Sequence, residues 1–299
     1  MTKSHRFRTV SPTSLPTLHK LMKPSWCVAV AALVLLSCER ADVRPHNANI
    51  PLGWVAVSPP AANSDAERCS NYALDEWSVA LGPDSTSLLV TPAKTDRRAD
   101  TVRVGPDILV GDDIGEFGGA LWRETPQGER DTIRVSGRDT SAFHADNLRA
   151  FVRRGDQVFA LVGVAHLSLD VGELIYLSRA TGGRWEGRSV LDLRGAPMAV
   201  TRVTGDTILV LTLDSLLAVA LDPTKPTRNA LAGNPVWAAT YASSLVRDRT
   251  GVVYIGMRSA IGRLRPVAHG YREDWLVPTH CRVRVLSGDD KCTCNASDD

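Results

Sequence analysis

Four stretches of this chain align on one glycine each: TVRVG-PDILVG (101–111), FVRRG-DQVFALVG (151–163), TRVTG-DTILVLT (201–212) and VRDRTG-VVYIGM (246–257). The turn glycines Gly105, Gly155, Gly205 and Gly251 are spaced by 50, 50 and 46 residues. Each stretch reads as a strand, a tight turn, and a second strand rich in Val, Ile and Leu. Glycine beside Asp or Pro supplies the positive φ that such hairpins need. A further strand follows each time, at 120–124, 173–178, 215–220 and 260–264. A hairpin-rich unit of this size cannot bury both faces of its own sheet, so copies must stack on one another around an axis. A period of about forty to fifty residues with about four strands in each predicts the blades of a β-propeller.

Strand-like stretches at 54–57, 77–81 and 88–91 are expected to form one more blade. The predicted fold is therefore all-β, a propeller over residues 52–286 with five blades, six being the alternative count and a β-sandwich the competing architecture. Long helical patterns are nearly absent. The exception begins at Ser64, where Ser64-Asp65-Ala66-Glu67 is a capping box ahead of Cys69, Tyr72, Ala73 and Glu76 on one face. Residues 287–299 are polar and acidic and are expected to be a frayed C-terminal tail.

The N-terminal segment has a different character. Lys20 and Lys23 precede a ten-residue apolar run, Cys27 to Leu36, and small Ser37 then precedes Cys38. Ten helical residues reach about 15 Å, half a bilayer core, too short to span it. This arrangement, closing on Leu35-Leu36-Ser37-Cys38, resembles the signal peptide and lipobox of bacterial lipoproteins. The resemblance implies cleavage before Cys38, diacylglycerol on its sulfur and acylation of the new amine, so that the membrane is a partner through lipid. Residues 1–37 are then a signal peptide and 38–51 a lipidated tether. Residues 1–21 read as an upstream extension or a misassigned start, because Met22 opens a compact basic leader by itself. Glu39 rather than Asp after the cysteine points, by enterobacterial sorting rules, to the outer membrane, on its periplasmic side or at the surface.

Removing that segment reverses the charge. The whole chain is +2, but residues 1–37 hold five Lys and Arg and no acid, leaving 30 basic against 33 acidic residues, about −3. No cluster of Lys and Arg interleaved with aromatics remains, which argues against nucleic acid as a partner. No second apolar run approaches the length of a membrane span.

The last repeat carries a family likeness. Ser244-Leu245-Val246-Arg247-Asp248-Arg249-Thr250-Gly251-Val252-Val253-Tyr254-Ile255-Gly256 resembles the blade motif of NHL-type and gluconolactonase-type propellers. The likeness is one of fold. Those lactonases place Asn before the motif and Asp after the Tyr-hydrophobic pair as calcium ligands, whereas this chain has Ser243, Ser244 and Gly256 there, so calcium-assisted hydrolysis is not implied. The repeats also resemble bacterial propeller-like proteins to which no function is assigned.

Four cysteines remain beyond Cys27 and Cys38: Cys69, Cys281, Cys292 and Cys294. In an oxidising compartment they are expected to form two disulfides, with three connectivities open. A Cys69–Cys281 bridge would join the start of the domain to its end, leaving Cys292 and Cys294 to pair in a strained ring or stay reducible. A metal set of His280, Cys281, Cys292 and Cys294 is the alternative, but its spacing matches no standard zinc pattern.

Candidate function sits in two connections, 111–119 and 163–172, longer than their counterparts in the last two repeats. Equivalent loops of stacked repeats share one face. That places Asp112, Asp113 and Glu116 beside His166, Asp170 and Glu173, an acid-rich face near the central channel suited to a cation such as calcium or to a polyol. Solvated turn residues chosen for loop conformation are the competing reading. The acids do not follow the EF-hand pattern, and no cofactor is required. Trp122, Trp185, Trp237, Tyr241 and Trp275 are spread over the repeats and are expected to pack the core. Ser141, His144 and Asp146 invite a triad reading, yet there is no G-x-S-x-G, H-E-x-x-H or P-loop, and no residue is assigned a catalytic role. The expected function is a non-catalytic binding or interaction module for an envelope protein, glycan or small ligand. The alternative is a propeller hydrolase or lyase acting on a sugar or lactone, with or without a metal.

Overall fold

A computed structural model describes residues 50–93, 99–138, 146–233, 236–287 and 291–295. Strand β1 (Trp54–Val57) is followed by helix α1 (Asp65–Tyr72) and the hairpin β2 (Trp77–Leu81) and β3 (Leu88–Pro92). A four-stranded meander comes next: β4 (Ala99–Val104), β5 (Asp107–Asp112), β6 (Leu121–Glu124) and β7 (Arg130–Thr132). The third sheet contains β8 (Arg134–Ser136), β9 (Leu148–Arg154), β10 (Gln157–His166), β11 (Leu169–Arg179) and β12 (Trp185–Asp192). The fourth is β13 (Ala199–Arg202), β14 (Thr207–Leu211), β15 (Ser215–Ala220) and β16 (Thr227–Gly233). The fifth is β17 (Ser244–Arg247), β18 (Val253–Gly256), β19 (Ile261–Val267) and β20 (Gly270–Pro278), and a hairpin of β21 (Val283–Ser287) and β22 (Lys291–Asn295) ends the described chain.

Strands in the middle of the sheets carry unbroken apolar runs, such as Val158–Val162 and Ile208–Leu211, because both of their faces are covered there. On β10, Val158, Ala160 and Val162 pack toward the β4–β7 sheet while Phe159 and Leu161 pack toward β13–β16. On β14, Ile208 and Val210 face back to the β9–β12 strands while Leu209 and Leu211 face forward to β17–β20. Alternate residues of a strand point to opposite faces, so each such strand contributes to two cores at once. The sheets therefore pack face to face in chain order. The last one, through Tyr254, Ile261 and Leu276, packs on Val79 and Leu88 of the β2–β3 hairpin, which returns the stack to its beginning. The fold is all-β and of propeller type.

Closure is made by a strand. β1 pairs antiparallel with β20, Trp54 opposite Pro278 and Val57 opposite Trp275, and so completes the last sheet as its outer edge. Residues 54–57 do not share a sheet with β2 and β3, as the sequence pattern suggested. The pairing covers the outward edge of β20 with a strand more than 200 residues away in sequence.

The turn glycines behave as expected at Gly105, Gly155 and Gly251, which have φ of 61°, 56° and 91°; Gly205 lies in a longer turn and does not need one. A second glycine is required where backbones crowd. A Cβ on Gly256 would stand 2.4 Å from the Trp77 carbonyl oxygen and 2.2 Å from Ser244 Oγ, at the junction between the last sheet and the β2–β3 hairpin. Ser64 caps α1 by accepting the Glu67 N–H at 3.2 Å, and Glu67 reaches back to the Asn63 N–H, so the capping motif forms a real helix.

The cysteines correct the expectation. Cys69, on α1, is bonded to Cys292 on β22, not to Cys281, and Cys292 is therefore not paired with Cys294. Cys281 is also disulfide-bonded, which removes it and Cys292 as thiolate ligands for a metal. Within the segment expected to be a frayed tail, residues 291–295 form β22, which lies beside α1 with its hairpin partner.

One carboxyl on the last sheet works against the fold at neutral pH. Burial pushes the pKa of Glu273 up and the charge of Asp274 adds to this, while the Trp275 indole N–H, 2.9 Å away, opposes them. A carboxyl whose folded pKa is raised contributes stability below its unfolded value near 4.3, and loses it as pH rises through the folded value. Glu273→Gln keeps an acceptor for the indole without the charge. We expect it to raise stability at pH 7 by about 1 kcal/mol or less and to change nothing near pH 4. Thermal unfolding at both values checks this, and a loss at pH 7 would contradict it.

Candidate functional site

Each second strand runs from its turn glycine to the end where the candidate acids lie. Asp112 closes β5, and the connection after it is held by its own side chains. Asp112 Oδ1 accepts the Ala120 N–H at 2.5 Å, and Asp113 Oδ1 accepts the Gly115 N–H at 2.9 Å, which sets the 3₁₀ turn Gly115–Phe117. Short carboxylate side chains commonly form this kind of local turn.

The segment 163–172 is not a loop. β10 continues to His166 and β11 begins at Leu169, so a two-residue turn, Leu167-Ser168, carries the hairpin well beyond the sheet. Leu167 has φ of 52° there, a left-handed conformation that leucine seldom adopts. This extension brings His166 over the 3₁₀ turn, where its Nε2 lies 2.6 Å from Glu116 Oε2. Glu116 and His166, half-exposed, are the two predicted site residues that the fold brings into contact.

The other acids go elsewhere. Asp170 Oδ1 accepts the Ala196 N–H at 2.7 Å and pins the segment before β13 to the hairpin. Glu173 accepts from Arg138 Nε at 3.2 Å, and Arg138 also donates to Asp146 Oδ1 at 2.5 Å. Burial opposes charge on Arg138, but the hydrogen bonds and charges of Asp146 and Glu173 outweigh it and raise its pKa. Asp146 is thus an ion-pair partner. Ser141 and His144 lie outside the described residues. Among those described, no three His, Cys, Asp or Glu side chains gather into a metal-binding group.

Two features of this face had no signal in the sequence. Asn147, 2% exposed, donates through Nδ2 to the Gly115 carbonyl at 2.5 Å, while its Oδ1 has no hydrogen-bond partner. A buried acceptor left open is uncommon and calls for an explanation. Around the Glu116–His166 pair, Ile114, Phe117 and Leu167 are exposed, and Phe117 and Leu167 are almost fully so.

The tryptophans mostly follow the packing expectation. Trp185, Trp237 and Trp275 are buried, and Trp122 is half-buried. Tyr241 is exposed, with the Arg258 guanidinium 4.1 Å over its ring. A groove of about 500 Å³ lies away from the acidic face, between the β7–β8 edge and β12, and is lined by Asp131, Arg134, Arg184 and Trp185 among others. Another, of about 150 Å³, is bounded by Ser70, Trp275 and Cys281 among others.

No family model matches the chain, and no curated protein does. Solved structures show a loose likeness. The virginiamycin B lyase of Staphylococcus aureus is 7% identical over 74% of this chain and 88% of its own, with a TM-score of 0.28. Drosophila Semaphorin 1a, extracellular domains 1-2, is 10% identical over 83% and 72%, with a TM-score of 0.34. The soluble aldose sugar dehydrogenase of Escherichia coli is 9% identical over 68% and 96%, with a TM-score of 0.26. The fold assignment rests on the sheet order and the β1–β20 closure. No helix among the described residues is long and apolar enough to cross a membrane.

Proposed function

We propose that this protein is a lipid-anchored, non-catalytic binding module of the cell envelope. The anchor is lipid on Cys38 after removal of residues 1–37, and the outer membrane is its site. The working surface is the face built by the 3₁₀ turn and the β10–β11 tip. One observation carries the reading. Four of the six candidate carboxylates and imidazoles, Asp112, Asp113, Asp170 and Glu173, are spent on backbone N–H groups or on Arg138. They stiffen the loops, and what the loops then present is Ile114, Phe117 and Leu167 around the Glu116–His166 pair. A rigid mount for exposed apolar side chains beside a polar pair has the composition of a contact surface.

A photo-crosslinking residue placed at Phe117 or Leu167 in producing cells tests this. A discrete adduct from both positions, and none from Asp156 at the opposite strand end, is the expected result. No adduct from either loop would remove the proposal.

The Glu116–His166 contact favours a second reading, a hydrolase or lyase acting on a sugar or lactone. An imidazole oriented by a carboxylate is an arrangement suited to general acid–base work. Turnover of a lactone by the wild type, lost in His166→Ala while the crosslinks persist, would establish that reading instead.

A further inference from the structure

The repeats have a second polar pole, and it is basic. Arg103, Arg153, Arg202 and Arg247 occupy one position in four successive sheets, at or next to the end of the first strand. Their cross-strand partners are Ile108, Val158, Ile208 and Val253. All four arginines are exposed. Two of them show how the position is used. Arg153 donates from Nη1 to the Arg103 carbonyl at 3.3 Å and from Nη2 to the Gly155 carbonyl at 3.3 Å. Arg202 does the same one sheet later, to the Arg153 carbonyl and, at 3.0 Å, to the Gly205 carbonyl. Each guanidinium is therefore held between its own turn and the first strand of the sheet before it. The Arg247 Nη2 likewise lies beside the turn at Gly251.

The charges at this pole are not matched. Several other arginines meet carboxylates: Arg123 and Arg179 on Asp107, Arg138 on Asp146 and Glu173, Arg154 on Asp206, Arg258 on Glu76, Arg263 and Arg265 on Asp274. Of the four repeated arginines only Arg153 has a carboxylate oxygen within ion-pair distance among the described residues, that of the fully exposed Asp156 at 4.0 Å. Nearby acids are already engaged, Asp206 by Arg154 and Asp248 by the N–H groups of Thr250 and Val252. Carbonyl contacts use two donors of a guanidinium that has five, and neutral acceptors leave its charge standing.

We infer that the turn end of the propeller axis binds a ligand presenting several oxyanions at once, such as a phosphorylated or polycarboxylated saccharide. Four guanidiniums at one repeated position, two of them held by backbone contacts, form a set of oxyanion donors, and like charges gathered at one mouth raise the local anion concentration. This site is separate from the proposed contact face: the second strands run between them, so on β10 the two are roughly 25 Å apart.

The probe is inorganic tripolyphosphate, titrated calorimetrically into the full-length protein at 25 and 150 mM NaCl. We expect saturable one-to-one binding that weakens with salt. The test variant is Arg103→Gln with Arg247→Gln, because neither side chain makes an inter-sheet hydrogen bond among the described residues, and its fold is verified by an unchanged thermal midpoint. Affinity should fall roughly tenfold or more. A charge-matched variant away from the turns, Arg134→Gln with Arg272→Gln, should bind as the wild type does. No binding by the wild type at 25 mM NaCl, or equal loss in both variants, would overturn the inference. If Arg103→Gln with Arg247→Gln unfolds, Arg103→Lys with Arg247→Lys, which keeps charge but not the planar fork, is expected to bind at reduced affinity; affinity at the wild-type level would count against a guanidinium site.

Discussion

Replacing Asp107 by alanine is expected to destabilise the protein by about 2–3 kcal/mol, the order for losing hydrogen bonds to a buried charged group whose arginine partners can still reach water. The carboxylate is 1% exposed at the start of β5 and accepts three hydrogen bonds. They come from Arg123 Nε on β6 at 2.8 Å, Arg179 Nη2 on β11 at 2.5 Å and the Trp185 indole on β12 at 2.8 Å. One side chain thus joins the β4–β7 sheet to the next, at the rim of the core made by Leu109, Leu121, Val158 and Leu177. Burial opposes ionisation of Asp107, but the hydrogen bonds from Trp185 and Arg123 and the charges of Arg179 and Arg123 outweigh it and hold its pKa below the usual carboxylate range. A depressed folded pKa means stability that is full above the unfolded value near 3.9 and lost as pH falls through the folded one. The difference between wild type and Asp107→Ala should therefore be constant from pH 8 to about 5 and shrink below about 4. Denaturant unfolding across that range measures it. A difference under about 1 kcal/mol at pH 7 would show that the node is not structural.

Reducing the Cys69–Cys292 bond is expected to have the second large effect. The bond spans 223 residues of sequence, and Cys69 is completely buried. Closing so long a loop restricts the unfolded chain by an amount worth at most roughly 5 kcal/mol in the chain-entropy model. Cys292→Ser should lower the thermal midpoint by about 10 °C. Exchange protection should drop first in α1 and the β21–β22 hairpin, since these are the elements the bond joins. An unchanged midpoint, or a non-reducing peptide map that joins Cys69 to another cysteine, would contradict the assignment.

Much of this architecture was legible because it is written locally and repeated. Gly105, Gly155 and Gly251 needed positive φ, and apolar runs such as Val158–Val162 needed cover on both faces. The capping box at Ser64 is likewise complete within four residues. Three features were not legible, each for a physical reason. β1 belongs to the last sheet because a distant edge strand was open to it, and no residue in 54–57 encodes its partner. The Cys69–Cys292 pairing depends on where the C-terminal hairpin folds, which spacing cannot decide among three connectivities. The turn at Leu167-Ser168 has neither Gly nor Asn, so an extended hairpin was read as a loop. At the candidate site, the sequence located the acids on one end of the strands. It could not tell that Asp112, Asp113 and Asp170 would be used by backbone N–H groups, nor that Asn147 would be buried beside them. The repeated arginines were visible in the aligned segments themselves, two to four residues before each turn glycine.

The measurement that bears most directly on an envelope-anchored binding module is the intact mass of the protein extracted from membranes of producing cells. The expected species begins at Cys38, carries a diacylglyceryl group and an amide-linked acyl chain, and is four hydrogens light for the Cys69–Cys292 and Cys281 disulfides. A chain that retains residues upstream of Cys38, or one that starts there without lipid, would contradict the anchor and with it the proposed place of action.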